Sequence, residues 1–213
     1  MDKVTEYIER AERGIANALD GKSKLTFTQM DIAGMSSARV RDLLNNIVHT
    51  GDRYLEIGVL GGSTFVAACY QNNPYAVAID NFSQFDGKKS EFLNNCFNSG
   101  ITNFAFLEGD CFNLPPESPQ VISNMNVYFY DGDHKEENQR MALTYYIDML
   151  ADVFIFIVDD WNHEPARIGT EKAIEELGLI VHKDWHLRTE KNGQDSSWWN
   201  GLYVAVCEKP KHD

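Results

Sequence analysis

Two apolar runs in this chain end in acids, and a stretch with helical spacing separates them. The first closes as Tyr128-Phe129-Tyr130-Asp131-Gly132-Asp133-His134 and the second as Val153-Phe154-Ile155-Phe156-Ile157-Val158-Asp159-Asp160. Parallel strands joined by a helix are neighbours, roughly 4.8 Å apart. Both acidic ends therefore fall on one rim of one sheet. Three carboxylates that close cannot all stay ionised without a cation, and oxygen ligands suit a hard divalent ion. Upstream, Glu56-Ile57-Gly58-Val59-Leu60-Gly61-Gly62-Ser63 ends an earlier strand in a glycine turn suited to a nucleotide-like ligand. A nucleoside cofactor beside a metal on one sheet rim points to metal-dependent group transfer.

The rest of the chain fits that frame. Apolar residues at Val4, Ile8, Ala11, Ile15 and Leu19 have helical spacing, and Ser36 or Ser37 can cap a second helix running to Ile47. Strands are then expected at 54–57, 76–79, 104–107, 127–130 and 153–158. Helices are expected at 63–70, 88–98, about 135–150 and 165–177, with a proline-rich connector at 114–119. Two final strands, 180–187 and 202–207, lack a helix between them and read as a hairpin. The expectation is a mostly parallel seven-stranded sheet with a terminal antiparallel strand and helices on both faces. The chain reads as one domain over 1–213, with an N-terminal helical extension at 1–50 and an α/β core at 51–213.

Composition narrows the partners. A formal net charge of −13 argues against a protein that grips nucleic acid through its phosphates. No apolar run approaches membrane-spanning length. Cys69, Cys96, Cys111 and Cys207 lack zinc spacing and, with no signal peptide, fit reduced thiols in a cytoplasm. The Gly58, Leu60, Ser63 pattern fails the dinucleotide fingerprint, so a ribose-bearing cofactor without a pyrophosphate is expected. Asp80 ends the second strand, where a ribose-binding acid belongs.

The series Glu56-x-Gly58-x-x-Gly61-x-Ser63, then Asp80, then Gly109-Asp110 resembles the cofactor motifs of class I S-adenosylmethionine-dependent methyltransferases, with their Rossmann-like fold. The resemblance runs from about Ser36 to the C-terminus. It implies that Gly58 and Gly61 face the methionine part of the cofactor and that Asp80 binds the ribose hydroxyls. It also places Asp110, Cys111 and Phe112 near the adenine, with Glu56 and Ser63 belonging to the same motif. Glu56 reads equally well as a buried acid held by backbone amides.

The segments Asp131-Gly132-Asp133-His134 and Asp159-Asp160-Trp161 are further similar to divalent-metal-dependent O-methyltransferases, the catechol branch and, more closely, the macrolide-sugar enzymes of the macrocin type. That resemblance implies Mg2+ or Mn2+ held by Asp131, Asp159 and Asp160, with His134 as proton acceptor. The implied reaction is methyl transfer to a hydroxyl of a small molecule, sugar or catechol-like. The alternatives are different chemistry on the same fold, as in hydroxylase-like relatives, and a non-catalytic cofactor-binding protein. Asp133 with Glu136 reads as a helix capping box. Acceptor contacts are expected from the segments 27–37, 81–89 and 191–201. Trp198 and Trp199 suit either ring stacking or packing in the hairpin or a homo-oligomer contact. Trp161 and His163 are pocket candidates, and Arg167 and Lys88 could meet an acidic substrate.

Overall fold

The computed structural model describes residues 2–115, 118–194 and 197–211. Parts of the 114–119 connector and of the 191–201 loop therefore lie outside the described residues. Seven strands form one sheet: β1 (Arg53–Ile57), β2 (Tyr75–Asp80), β3 (Phe104–Glu108), β4 (Met125–Tyr130), β5 (Leu150–Val158), β6 (Ile180–Leu187) and β7 (Leu202–Glu208). Their order is β3-β2-β1-β4-β5-β7-β6, parallel throughout except that β7 runs against both β5 and β6. The hairpin expected from the missing helix is therefore present, with β7 placed between β5 and β6 rather than at the edge. Ile155 to Val158, apolar at every position, is fully buried because β5 is flanked by β4 and β7 and covered on both faces.

The helices are α1 (Lys3–Leu19), α2 (Phe27–Met30), α3 (Ala38–Ile47), α4 (Ser63–Cys69), α5 (Lys89–Asn98), α6 (Ser118–Val121), α7 (Glu136–Thr144) and α8 (Glu164–Glu176). One core joins α1, α3, α4 and α5 to one face of the sheet around Leu43, Leu44, Tyr54, Phe65 and Phe92. The other joins α7 and α8 to the opposite face around Tyr128, Tyr146, Phe156 and Trp161. Ser37 caps α3 by accepting from Val40 N at 3.2 Å. None of the described helices is long and apolar enough to cross a membrane.

At the amino ends of the strands, opposite the site described below, a buried polar network fastens α1 to the sheet. Arg10 Nη1 meets Asp52 Oδ2 at 2.7 Å, and both side chains are buried. Asn126 Nδ2 donates to Asp52 Oδ1 at 2.8 Å and to Tyr7 Oη at 2.9 Å. His49 N donates to Asp52 Oδ2 at 2.7 Å.

Two local expectations fail. The helix expected over 135–150 ends at Thr144, and β5 already begins at Leu150. The Tyr145-Tyr146 pair ends it, because Tyr146 Oη donates to Cys111 O at 2.5 Å and the Tyr145 ring packs edge-on against Phe112, 5.8 Å between centroids. The Asp133–Glu136 capping box also does not form. Lys135 occupies the cap position, and Asp133 instead accepts from Lys135 N at 3.3 Å and from Asn138 Nδ2 at 2.7 Å. The preceding residues stay non-helical where His134 reaches across to Asp160.

Candidate active site

The carboxyl ends of β1, β2, β4 and β5 surround a cavity of about 420 Å3. Ligands of open α/β sheets bind at this rim. β1 and β4 are hydrogen-bonded neighbours, and Asp131 N continues their pairing by donating to Ile57 O at 2.9 Å. That close approach dictates the residue at 58. Gly58 has φ +86°, and a Cβ there would lie 1.9 Å from Asp131 O. No side chain fits, so the glycine is required by packing before any ligand is considered. Gly62, also left-handed at φ +89°, starts α4.

Asp80 ties two loops together. Its Oδ2 accepts from Leu60 N at 2.8 Å and its Oδ1 from Phe82 N at 2.7 Å. Each carboxylate oxygen accepts one bond and can accept another, and Asp80 lines the cavity. Gly58, Ser63, Asp80, Asp110, Cys111 and Phe112 all line this cavity, so the structure brings these sequence-derived positions together. Gly61 does not line it; its carbonyl accepts from Asn95 Nδ2 at 2.8 Å, which anchors the turn to α5. Phe112 stacks on Tyr130 at 6.5 Å between ring centroids, forming an apolar wall.

Glu56 lies behind the cavity rather than on it. It is fully buried, accepts from Thr64 Oγ1 at 2.6 Å, and is also bonded by the Tyr54 hydroxyl. Its partners are thus side-chain hydroxyls, not the backbone amides expected. Burial pushes its pKa up to about 8, against the lowering effect of the two hydroxyls.

The acidic ends of β4 and β5 do converge. Tyr130 pairs with Val158, and Asp159 N donates to Tyr130 O at 3.1 Å. The Asp131 and Asp159 carboxyls lie close enough to act on each other's protonation. Burial first, then the neighbouring charges of Asp159 and Asp160, hold the Asp131 carboxyl well above its ordinary range. Burial and the Asp160 charge push Asp159 up to about 7. Asp160 turns back with φ +57°, and its Oδ2 meets His134 Nε2 at 2.5 Å. Burial alone would lower the His134 pKa, but the bond to Asp160 and the charges around it raise it above the usual value. Asp160 is correspondingly held low, burial being outweighed by the bond and charge of His134, with the Asn200 side chain adding to the effect.

The donor chemistry here suits a hard divalent ion: three crowded carboxylates, and an Asp160 Oδ1 that is buried without a hydrogen bond. As the side chains stand, however, Asp160 is engaged by His134. Among the described residues no group of three His, Cys, Asp or Glu side chains is arranged to hold a metal ion.

All three segments expected to cover the acceptor contribute to the cavity: Met35 and Ser36, the stretch 81–85, and Trp199 with Asn200. Arg41 positions the first, donating to Met30 O at 2.7 Å and Ile32 O at 2.8 Å. Ser37 Oγ donates to Ser197 O at 2.5 Å and ties that segment to the last loop. The two tryptophans part company. Trp198 is buried in the core, with Arg39 over its ring at 5.6 Å, whereas Trp199 lines the cavity. Trp161 is core, stacked 4.3 Å from Tyr203. His163 caps α8 with its ring 6.1 Å from that of His134, outside the cavity lining. Arg167 donates to the carbonyls of Trp161 and Asn162, and Lys88 pairs with Glu91 at 3.1 Å; neither lines the cavity. Tyr130, Asn138 and Phe85 line it without having been singled out. Phe85 sits in a loop already expected near the acceptor, but nothing in its neighbours marks it.

No known family model matches the sequence, and no curated protein matches it. Solved structures do match the fold. TrmN from Thermus thermophilus superposes with a TM-score of 0.60 at 14% identity, covering 86% of this chain and 52% of its own. The chain thus spans about half the length of that protein. TYW2 from M. jannaschii, solved with AdoMet, gives a TM-score of 0.60 at 12% identity, covering 90% of this chain and 80% of its own. A candidate O-methyltransferase from Klebsiella pneumoniae gives 0.53 at 15% identity, covering 98% and 91%. Strand order, the reversed β7 and these superpositions agree: the chain has the Rossmann-like fold of class I S-adenosylmethionine-dependent methyltransferases.

Proposed function

We propose that this chain is an S-adenosylmethionine-dependent O-methyltransferase acting on a hydroxyl group of a small molecule. The observation that carries the reading is the His134–Asp160 pair, 2.5 Å apart, lining the same cavity as the Gly58 turn and Asp80. A general base held by an acid beside a nucleoside-type site is what hydroxyl methylation requires.

When bound, the cofactor supplies a methyl group already activated on a sulfonium centre. Asp80, fixed by Leu60 N and Phe82 N, would accept from the ribose hydroxyls. Phe112 and Tyr130 supply an apolar wall that excludes water. With Nε2 held by Asp160, His134 Nδ1, which has no partner, is the ring nitrogen that would take the acceptor's hydroxyl proton. Asp160 Oδ2 orients the ring and balances the charge that forms on it, so Asp160 acts as a positioning residue. Holding the acceptor oxygen in line with the methyl carbon supplies much of the remaining rate. Asp131, Asp159 and Asp160 would hold a magnesium or manganese ion only by regrouping, with Asp160 released from His134, and an ion so held would lower the pKa of the acceptor hydroxyl. The net charge of −13 supports a small acceptor over a nucleic acid.

The test is melting temperature with S-adenosylmethionine, S-adenosylhomocysteine or NAD, for the wild type and Asp80→Ala. Only the first two should raise it, and Asp80→Ala should weaken the effect. Methyl transfer to metabolite pools, followed by mass spectrometry, should then be lost in His134→Ala by roughly a hundred- to ten-thousand-fold with cofactor binding intact. Chelation should abolish it. A shift with NAD alone would overturn the reading, and full turnover in chelator would remove the metal from it.

A further inference from the structure

The two edges of the sheet are built differently. Strand β6, at one edge, carries Lys183 and Asp184, shifts register between Val181 and Lys183, and is tied to α1 by the bond from Lys183 to Glu12. Charges and bulges are how natural sheets keep an edge from pairing with other chains. Strand β3, at the other edge, reads Phe104-Ala105-Phe106-Leu107-Glu108, with no register shift, no proline and no charge before its last residue. Among the described residues it is paired on one side only, to β2. Ala76 N donates to Asn103 O at 3.2 Å and Gly109 N to Asp80 O at 3.1 Å, so the odd-numbered residues of this stretch bond to β2. Phe104, Phe106 and Glu108 therefore turn their N–H and C=O groups outward along the open edge.

Helix α5 overhangs that edge with an apolar ridge. Phe92 and Cys96 are buried against the sheet. Asn95 Nδ2 donates to Gly61 O at 2.8 Å and Glu91 stands beside the same glycine, so one flank of the helix faces the glycine turn. At about 100° per residue, Leu93 and Phe97 fall on the other flank. Lys89, one turn before Leu93, marks where that flank lies: its Nζ meets Glu108 at 2.5 Å and sits 5.8 Å from the centre of the Phe106 ring. Leu93 is 39% exposed and Phe97 79%. The charges beside the ridge cancel in pairs, Lys89 with Glu108 and Lys88 with Glu91 at 3.1 Å. In a chain of net charge −13, a neutral flank is one that does not repel its own copy.

From these features we infer that the chain pairs with a second copy of itself through β3 and α5, about a two-fold axis beside Phe106. An open strand edge is self-complementary under that symmetry. Antiparallel pairing sets Phe106 against Phe106 of the second copy and Phe104 against its Glu108, each pair exchanging N–H and C=O bonds. The axis stands perpendicular to the sheet, so both copies of α5 fall on the same face, and Leu93 and Phe97 meet their counterparts. With strands roughly 4.8 Å apart, two helices that each cross from β2 to β3 come about 10 Å apart, a distance at which helices pack. The inference does not depend on what the cavity binds.

Sedimentation velocity of the whole protein over a wide range of concentration should give a species of twice the 24.2 kDa of one chain. Amide hydrogen exchange then locates the interface. The amides of Phe104, Phe106 and Glu108 should be protected in the dimer and lose that protection on dilution, since in a single chain they face solvent. Phe97→Glu sets two like charges across the axis and should weaken the dimer at least tenfold. Ile180→Lys, on the opposite edge strand, should leave it unchanged. A single chain at every concentration overturns the inference. So does a dimer in which those amides exchange freely, one that persists undiminished in Phe97→Glu, or one that is lost in Ile180→Lys. Should Phe97→Glu fail to fold, exchange at the β3 amides of the wild type decides alone.

Discussion

Replacing Glu56 by glutamine should stabilise the protein, and only above the pH at which a free glutamate ionises. Glu56 is fully buried, and its folded pKa is about 8 against 4.5 for the ordinary group. An acid whose pKa is raised on folding binds more protons in the folded state, so stability falls as pH rises from the unfolded value toward the folded one. At pH 7 the gap is 2.5 pH units from 4.5, which at 1.36 kcal/mol per unit is a cost of about 3 kcal/mol. At pH 5 it is under about 1 kcal/mol. Glutamine matches the neutral acid in shape. Its carbonyl can accept from one of the Tyr54 and Thr64 hydroxyls, and its amide can donate to the other. Urea unfolding of both proteins at pH 5, 7 and 8.5 gives the difference directly. Subtracting one curve from the other removes the titration of Asp159, whereas Asp131, which the Glu56 charge raises, stays coupled to it. The variant should match the wild type near pH 5 and exceed it by a few kcal/mol at pH 7 and above. Equal stability at pH 7, or the same loss at every pH, would show that Glu56 folds ionised and would refute the reasoning.

Two further outcomes follow from the site. Gly58→Ala forces a Cβ to within 1.9 Å of Asp131 O in a left-handed backbone. It should cost roughly 3 kcal/mol or more in denaturant unfolding, while Gly62→Ala, which meets side chains alone, the Phe92 ring at 2.9 Å and Val66 at 3.7 Å, should cost less. The His134 ring, followed by NMR against pH, should titrate above 6.5 in the wild type. In Asp160→Asn it should titrate lower, because burial then acts without the carboxylate that outweighs it; an unmoved titration would dissociate the pair.

The strand ends were legible because each apolar run stops abruptly in acids or glycine, and a parallel sheet sends all those ends to one rim. Glu56 could also have been placed. Tyr54 and Glu56 are two apart in a strand and so share a face, and Thr64 opens the helix that covers it. The early end of α7 was hidden, since Tyr145-Tyr146-Ile147 continues the helical spacing while obeying a contact to Cys111 across the fold. The Asp133 capping box was hidden for a related reason: local pattern favoured a cap, and the longer-range His134–Asp160 contact prevailed. Trp198 and Trp199, adjacent in sequence, divide between core and cavity through the left-handed turn at Trp199, which no residue type announces.

The network at the far end of the sheet sets the order in which this chain can assemble during synthesis. Helix α1 leaves the ribosome before the strands, but Arg10 finds Asp52 only 42 residues later, and Tyr7 waits for Asn126, 119 residues on. Until β4 emerges, Asp52 lacks its Asn126 donor, and α1 rests on α3 without the link from Tyr7 to the sheet. Helix α1 is therefore made before the sheet yet fastened to it only when β4 arrives, and a nascent chain stalled before β4 would hold α1 on α3 without that network.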